Sequence, residues 1–160
     1  MPSAEILAEI DALQARHARA LDRRDLAAWL ACFSQKEASY RCVSRENEEQ
    51  DLPLAMMMDD SYERLKDRVK MIAEVWAGTF EDYATRHFVQ RLECTENAPG
   101  AYVVSSNFMV IYTAANRHSS ILVAGSYEDE ITIAGGEARF RSKKAVLDTV
   151  TTPRYLVYPV

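Results

Sequence analysis

Apolar positions recur every three or four residues in the first half of the chain and every second residue in the rest. Ile6, Ile10, Leu13, His17 and Leu21 keep helical spacing, with Ser3 as a candidate N-cap and Glu5 at the positive end of the helix dipole. The polar run Asp22-Arg23-Arg24-Asp25 breaks that helix. Leu26, Trp29, Leu30 and Phe33 then give an i, i+3, i+4, i+7 stripe with Asp25 as its cap. A helix this short is marginal alone, so its Trp29 and Phe33 face must pack on something. A third helix is expected where Asp60 and Glu63 have capping-box spacing and Tyr62, Leu65, Val69, Ile72 and Trp76 share a stripe, with Gly78 as the stop. Between the second and third helices, Tyr40–Val43 and Leu52–Met58 read as short strands. Pro53 confines the second of these to an edge or bulge, and the polar stretch Ser44–Asp51 reads as a hairpin tip or mobile loop.

From Thr85 the period changes to two. Strands are predicted over residues 85–96, 101–113, 120–133 and 137–149, separated by Asn97-Ala98-Pro99-Gly100, Asn116-Arg117-His118-Ser119 and Gly135-Gly136. Tyr102, Val104, Ser106, Phe108, Val110 and Tyr112 fall on one face, and Val103, Ser105, Asn107, Met109 and Ile111 on the other. Consecutive strands with tight turns make an antiparallel meander, and long strands curl because twist accumulates along them. The expected fold is α+β, a single domain over residues 1–160, with N-terminal helices packed in the concave face of a long curved antiparallel sheet.

Composition narrows the function. The 160 residues are 48% apolar and 27% charged, enough for a hydrophobic core without staples. A net charge of −5 disfavours nucleic acid as a partner. No window is apolar enough for a membrane span, and the N-terminal residues do not resemble a secretory signal, so a cytoplasmic location is expected. Cys32, Cys42 and Cys94 are odd in number and widely spaced, which argues for reduced, buried cysteines and not a disulfide framework.

Candidate chemistry is sparse. His17, His87 and His118 lack a second histidine at i+4 or a cysteine at ligand spacing, so no metal motif is read in this chain. There is neither a Gly-x-Ser-x-Gly elbow nor a phosphate loop. Asp59, next to Asp60, and His87, near Tyr40 or Tyr62, could supply acid/base chemistry in a pocket. The competing reading makes Asp60 a helix cap, pairs Asp59 with Arg64 or Arg68, and gives His87 a structural hydrogen bond. Arg139, Arg141 and Lys143 fall on one face of the last strand, either a solvated outer face or a subunit interface. The apolar tail containing Arg154, Tyr155 and Tyr158 should be docked on its own sheet or on another chain.

Several short pieces, in order, resemble the small, or β, subunit of aromatic-ring-hydroxylating dioxygenases. They are Leu21-Asp22 through Phe33, Tyr40, Met58-Asp59-Asp60-Ser61-Tyr62 through Val69, and Thr85-Arg86-His87. Val104 to Phe108, Gly125 to Asp129 and Lys144 to Asp148 complete the series across nearly the whole chain. The resemblance implies a cystatin-like cone fold, shared with ketosteroid isomerase and scytalone dehydratase. It also implies a mainly structural subunit that self-trimerises within a hexamer of three α and three β chains. The Rieske iron–sulfur cluster and the mononuclear iron would then reside in the α subunit, with no cofactor in this chain. Ala138, Ser142, Gln90 and Arg91 depart from the family pattern and leave the aromatic substrate open. The rival expectation is a cofactor-free isomerase or dehydratase of the same fold using Asp59, His87 and Tyr40 or Tyr62. A third, a small-molecule carrier or regulatory module, would require a roomy apolar cavity without acid/base groups.

Overall fold

A computed structural model describes residues 1–115 and 117–160; Asn116, placed above in a turn, lies outside the described residues. Helix α1 spans Ala4–Asp22, and the Ser3 hydroxyl accepts from the Ile6 amide at 3.3 Å. Its Ile10, Leu13, His17 and Leu21 stripe is fully buried, as the spacing predicts. Arg24, at φ 58°, turns the chain, and Asp25 caps α2 (Leu26–Ala31) by accepting from the Ala28 amide at 3.0 Å.

Strand β1 (Ser39–Ser44) leads into a short helix, α3 (Arg45–Glu49), where a hairpin tip or mobile loop was expected. Ser44 caps α3 through the Asn47 amide at 3.2 Å, and Glu46 and Glu48 sit at its positive end. The same polar residues that read as a loop are therefore the ones that start a helix. Strand β2 (Met57–Asp59) is only three residues long, against the expected run from Leu52, which begins beside the donor-less Pro53.

Helix α4 (Tyr62–Lys70) is capped by Ser61, whose hydroxyl accepts from the Arg64 amide at 3.2 Å. The Asp60–Glu63 capping box does not form, because the true cap lies one residue later. Met71–Val75 continues α4 as a π-helical turn, closed by the Trp76 amide on the Met71 carbonyl at 2.8 Å. That wider turn takes Trp76 out of the stripe: Leu65 and Ile72 are buried, but Trp76 is only half-buried.

The rest is sheet: β3 (Tyr83–Ala98), β4 (Ala101–Ala114), β5 (Ser119–Ala134) and β6 (Glu137–Leu147). The strand order is β2-β1-β6-β5-β4-β3, with every neighbour antiparallel except β1 and β6, which run parallel. Register shifts at Arg91/Glu93, Glu96/Ala98, Val110/Ile111 and Glu130/Ile131 mark bulges, which bend strands and increase twist. On β4 the face containing Tyr102, Val104, Ser106, Phe108 and Val110 is buried, as alternation predicts.

Helix α1 packs chiefly on β3 and α2, and also meets β6, closing a core of aromatic rings. Trp29 meets Phe33 and Tyr40 edge-on at 5.1 and 5.8 Å, and Phe108 stacks on Tyr127 at 4.0 Å. No helix among the described residues is long and apolar enough to cross a membrane.

Candidate functional site

Tyr40 and Asp59 are cross-strand partners in the β1–β2 pair, so the fold does place two of the four acid/base candidates together. Each is already engaged. Asp59 forms a nearly buried ion pair with Arg68 of α4, through both the Nε and Nη2 nitrogens. The Tyr40 hydroxyl donates to the Val160 carbonyl at 3.1 Å and accepts from the Val160 amide at 2.9 Å. Complete burial raises the Tyr40 pKa well above the usual phenol value, so the group is held as a neutral structural partner.

His87 lies on β3, at the opposite edge of the sheet from β2. Its Nδ1 is 2.6 Å from Asp22 Oδ1, and its backbone amide donates to Asp22 Oδ2 at 3.1 Å. Thr85 donates to the same carboxylate at 3.0 Å. Burial pushes the Asp22 carboxyl up, but these hydrogen bonds outweigh it and hold the pKa below the ordinary value. Tyr62, at the start of α4, opens on an outer cleft with Asp60, Glu130 and Arg141. Among the described residues, no hydrogen bond or ion pair joins His87 or Tyr62 to Asp59 or Tyr40. The core around Tyr40 is filled with side chains: Trp29, Phe33, Tyr127 and Phe140 are all fully buried, and Trp29 meets Tyr40 edge-on.

The interior carries a polar constellation not singled out from the sequence. Lys143 Nζ donates to both oxygens of Asp129, at 3.3 and 3.1 Å, and to Gln14 Oε1 at 3.1 Å. Gln14 donates back to Asp129 at 2.6 Å, and the ammonium stands 3.5 Å over the Tyr127 ring and 4.4 Å over Phe140. Burial drives Asp129 up and Lys143 down, and each partner's charge opposes the other's shift. The available signal was the inward alternation of Tyr127, Asp129 and Ile131, which sets an acid in a core position.

This placement corrects the expected basic face. Arg139 and Arg141 are at the surface, but Lys143 is fully buried. The register shifts by one between Ile131↔Phe140 and Glu130↔Ser142, and a one-residue slip sends later side chains to the other face. Arg139 donates to the Ala31 carbonyl at 3.0 Å, and Arg141 pairs with Glu37 at 2.5 Å. In the tail, Arg154 meets Glu81 at 2.7 Å and the Tyr158 ring lies 3.7 Å under the Arg24 guanidinium. Tyr155 is 87% exposed.

The resemblance raises an iron–sulfur cluster and a mononuclear iron. Among the described residues, no three His, Cys, Asp or Glu side chains gather in a way that could hold a metal ion. The cysteines fit neither group: burial pushes the Cys32 thiol up to about 11 and the Cys42 thiol up to about 12, away from the thiolate that metal binding requires.

The family model described as ring hydroxylating beta subunit matches residues 16–154. The anthranilate 1,2-dioxygenase small subunit of Burkholderia cepacia is 28% identical over 152 residues, covering 95% of this chain and 92% of that protein. A β subunit from Novosphingobium aromaticivorans DSM 12444, attributed to an aromatic-ring-hydroxylating dioxygenase, is 27% identical with a TM-score of 0.84. The match covers 96% of this chain and 95% of that one. A cystatin-like-fold protein from Nostoc punctiforme is 16% identical with a TM-score of 0.67, over 94% and 96% of the two chains, and shares the fold alone.

Proposed function

Since the chain belongs to the ring-hydroxylating β-subunit family, we propose that it is the non-catalytic β subunit of an aromatic-ring-hydroxylating terminal oxygenase. It assembles in the cytoplasm with an α subunit that holds the Rieske cluster and the mononuclear iron, as three of each chain, and serves aromatic-compound catabolism. One observation carries the non-catalytic part. Each candidate acid/base group except the half-buried Tyr62 has a structural partner: Asp59 has Arg68, Tyr40 has Val160, and His87 has Asp22. Chemistry at a pocket needs such groups convergent on one accessible space, and they do not converge here.

The partnership also leaves work for the surface. Arg139, Arg141, Arg154, Tyr155 and Tyr158 remain the proposed contact set of the last strand and tail, without the buried Lys143.

Reconstitution tests the reading. Ring hydroxylation by an α subunit, measured with this chain present, should need the chain but not its titratable groups. His87→Gln and Tyr62→Phe should leave turnover within about twofold of the wild type, since an acid/base residue typically contributes 10²–10⁴-fold. Loss of turnover in both variants, with assembly intact, would reinstate a catalytic role.

A further inference from the structure

A groove of about 330 Å³ lies between α1, α2 and the start of β6. Arg16, Arg19, Arg23 and Arg139 line it, outnumbering the acids Asp25 and Glu137, and Ala28 and Cys32 contribute apolar surface. Arg16 is paired with Glu9 and Arg139 with Glu137. Among the described residues no ion pair engages Arg19 or Arg23, and both are exposed. In a chain of net charge −5, this is a local basic site facing solvent.

The complementary surface is on the same chain. Glu46, Glu49 and Asp51 are exposed, and Leu52 and Leu54 follow them, 41% and 58% exposed. The segment is held in one shape: the Gln50, Asp51 and Leu52 amides donate to the Glu46, Glu48 and Asn47 carbonyls at 3.0, 3.1 and 2.8 Å. Acids followed by leucines match arginines beside alanine, in charge and in polarity.

The segment cannot fill its own groove. It follows the end of β1, where Ser44 pairs with Leu147 and Lys144 holds Glu48. Arg139 is eight residues earlier on β6, roughly 26 Å away at about 3.3 Å per residue. We propose that segment 46–54 of one copy docks in the arginine groove of a second copy, head to tail. Such a contact joins different patches on the two copies, so repetition either closes a ring or continues without end. The proposal rests on the reading above, in which several copies share one assembly, and it names the surface that joins them.

Charge reversal tests it. The chain is co-expressed with a ring-hydroxylating α subunit, and β–β association is read by native mass spectrometry across a dilution series. Arg19→Glu with Arg23→Glu, and separately Glu46→Lys with Glu49→Lys, should each weaken it at least about tenfold, since like charges facing each other cost several kcal/mol. All four substitutions together should restore it. These positions are on the surface, and circular dichroism checks that each variant keeps its fold. Wild-type association in either reversed variant, or no recovery in the combined one, overturns the proposal. So does a wild-type chain that binds the α subunit but never a second copy. A wild-type chain that captures no α subunit defeats the partnership instead, and the wild type and the three variants are then compared by sedimentation of the chain alone, where the same outcomes decide.

Discussion

Lys143 meets both oxygens of Asp129, at 3.3 and 3.1 Å, where neither side chain is exposed to solvent. A buried pair of this kind gains little over apolar residues of equal volume, but breaking one side leaves an uncompensated charge. Lys143→Met should therefore cost about 3–5 kcal/mol, read by urea unfolding. Adding Asp129→Leu should recover most of that loss. An isolated Lys143→Met variant as stable as the wild type would mean the pair is not buried as described.

At Gly125, β5 lies close against the backbone of β6. A Cβ there would lie 1.9 Å from the Val146 carbonyl oxygen, a backbone atom that cannot swing aside. Gly125→Ala should force the two strands apart and cost about 3 kcal/mol or more, at the upper end of overpacking penalties. Gly78 has φ +73° but nothing within 4 Å of an added Cβ, so Gly78→Ala carries only backbone strain of about 1–2 kcal/mol. Thermal unfolding of the two variants should rank them in that order.

His17 sets a pH dependence. It is fully buried with no hydrogen-bond partner among the described residues on either ring nitrogen, and burial, with Lys143 and His87 nearby, lowers its pKa well below 6.5. The unfolded chain takes a proton near 6.5 that the folded chain refuses. Stability is therefore full above that value and falls as pH drops below it, by up to about 1.4 kcal/mol per pH unit. Asp22, lowered from 3.8, adds a loss only in more acid solution. His17→Phe should flatten the slope between roughly pH 6.5 and 5. An unchanged slope would assign it to other groups.

The tail divides between fold and surface. Val160 is buried against Tyr40, and the Tyr83 hydroxyl donates to the Tyr155 carbonyl at 2.9 Å, while the Tyr155 ring is out in solvent. Removing Tyr155 to Val160 should lower folding stability as well as assembly, because it strips both hydrogen bonds from the buried Tyr40 hydroxyl. Tyr155→Ala should leave the melting temperature unchanged and weaken assembly alone. A destabilised Tyr155→Ala variant would mean the ring is not free.

The four long strands and three of the helices were legible because their faces follow one period, as Val104, Phe108 and Val110 do on β4. The misreadings fall where one residue changes the phase. The β5–β6 register shift turns Lys143 inward, and the π turn displaces Trp76. Ser61 takes the cap that Asp60 was given. The first two leave no local signature because packing decides them, whereas the cap is a choice between two adjacent residues that both favour the position. The Asp22–His87 contact spans 65 positions in sequence, so no spacing could reveal it. The ordered family pieces were readable because each is local.

In the proposed division of labour, the α chain holds the iron and this chain supports it. Native mass spectrometry with iron analysis tests it directly, on the chain purified alone and together with a ring-hydroxylating α subunit. The account predicts an iron-free isolated chain and a mixed complex with equal numbers of both chains, its iron scaling with the α subunit. A chain that stays apart from every α subunit offered, or that carries stoichiometric iron by itself, would contradict it.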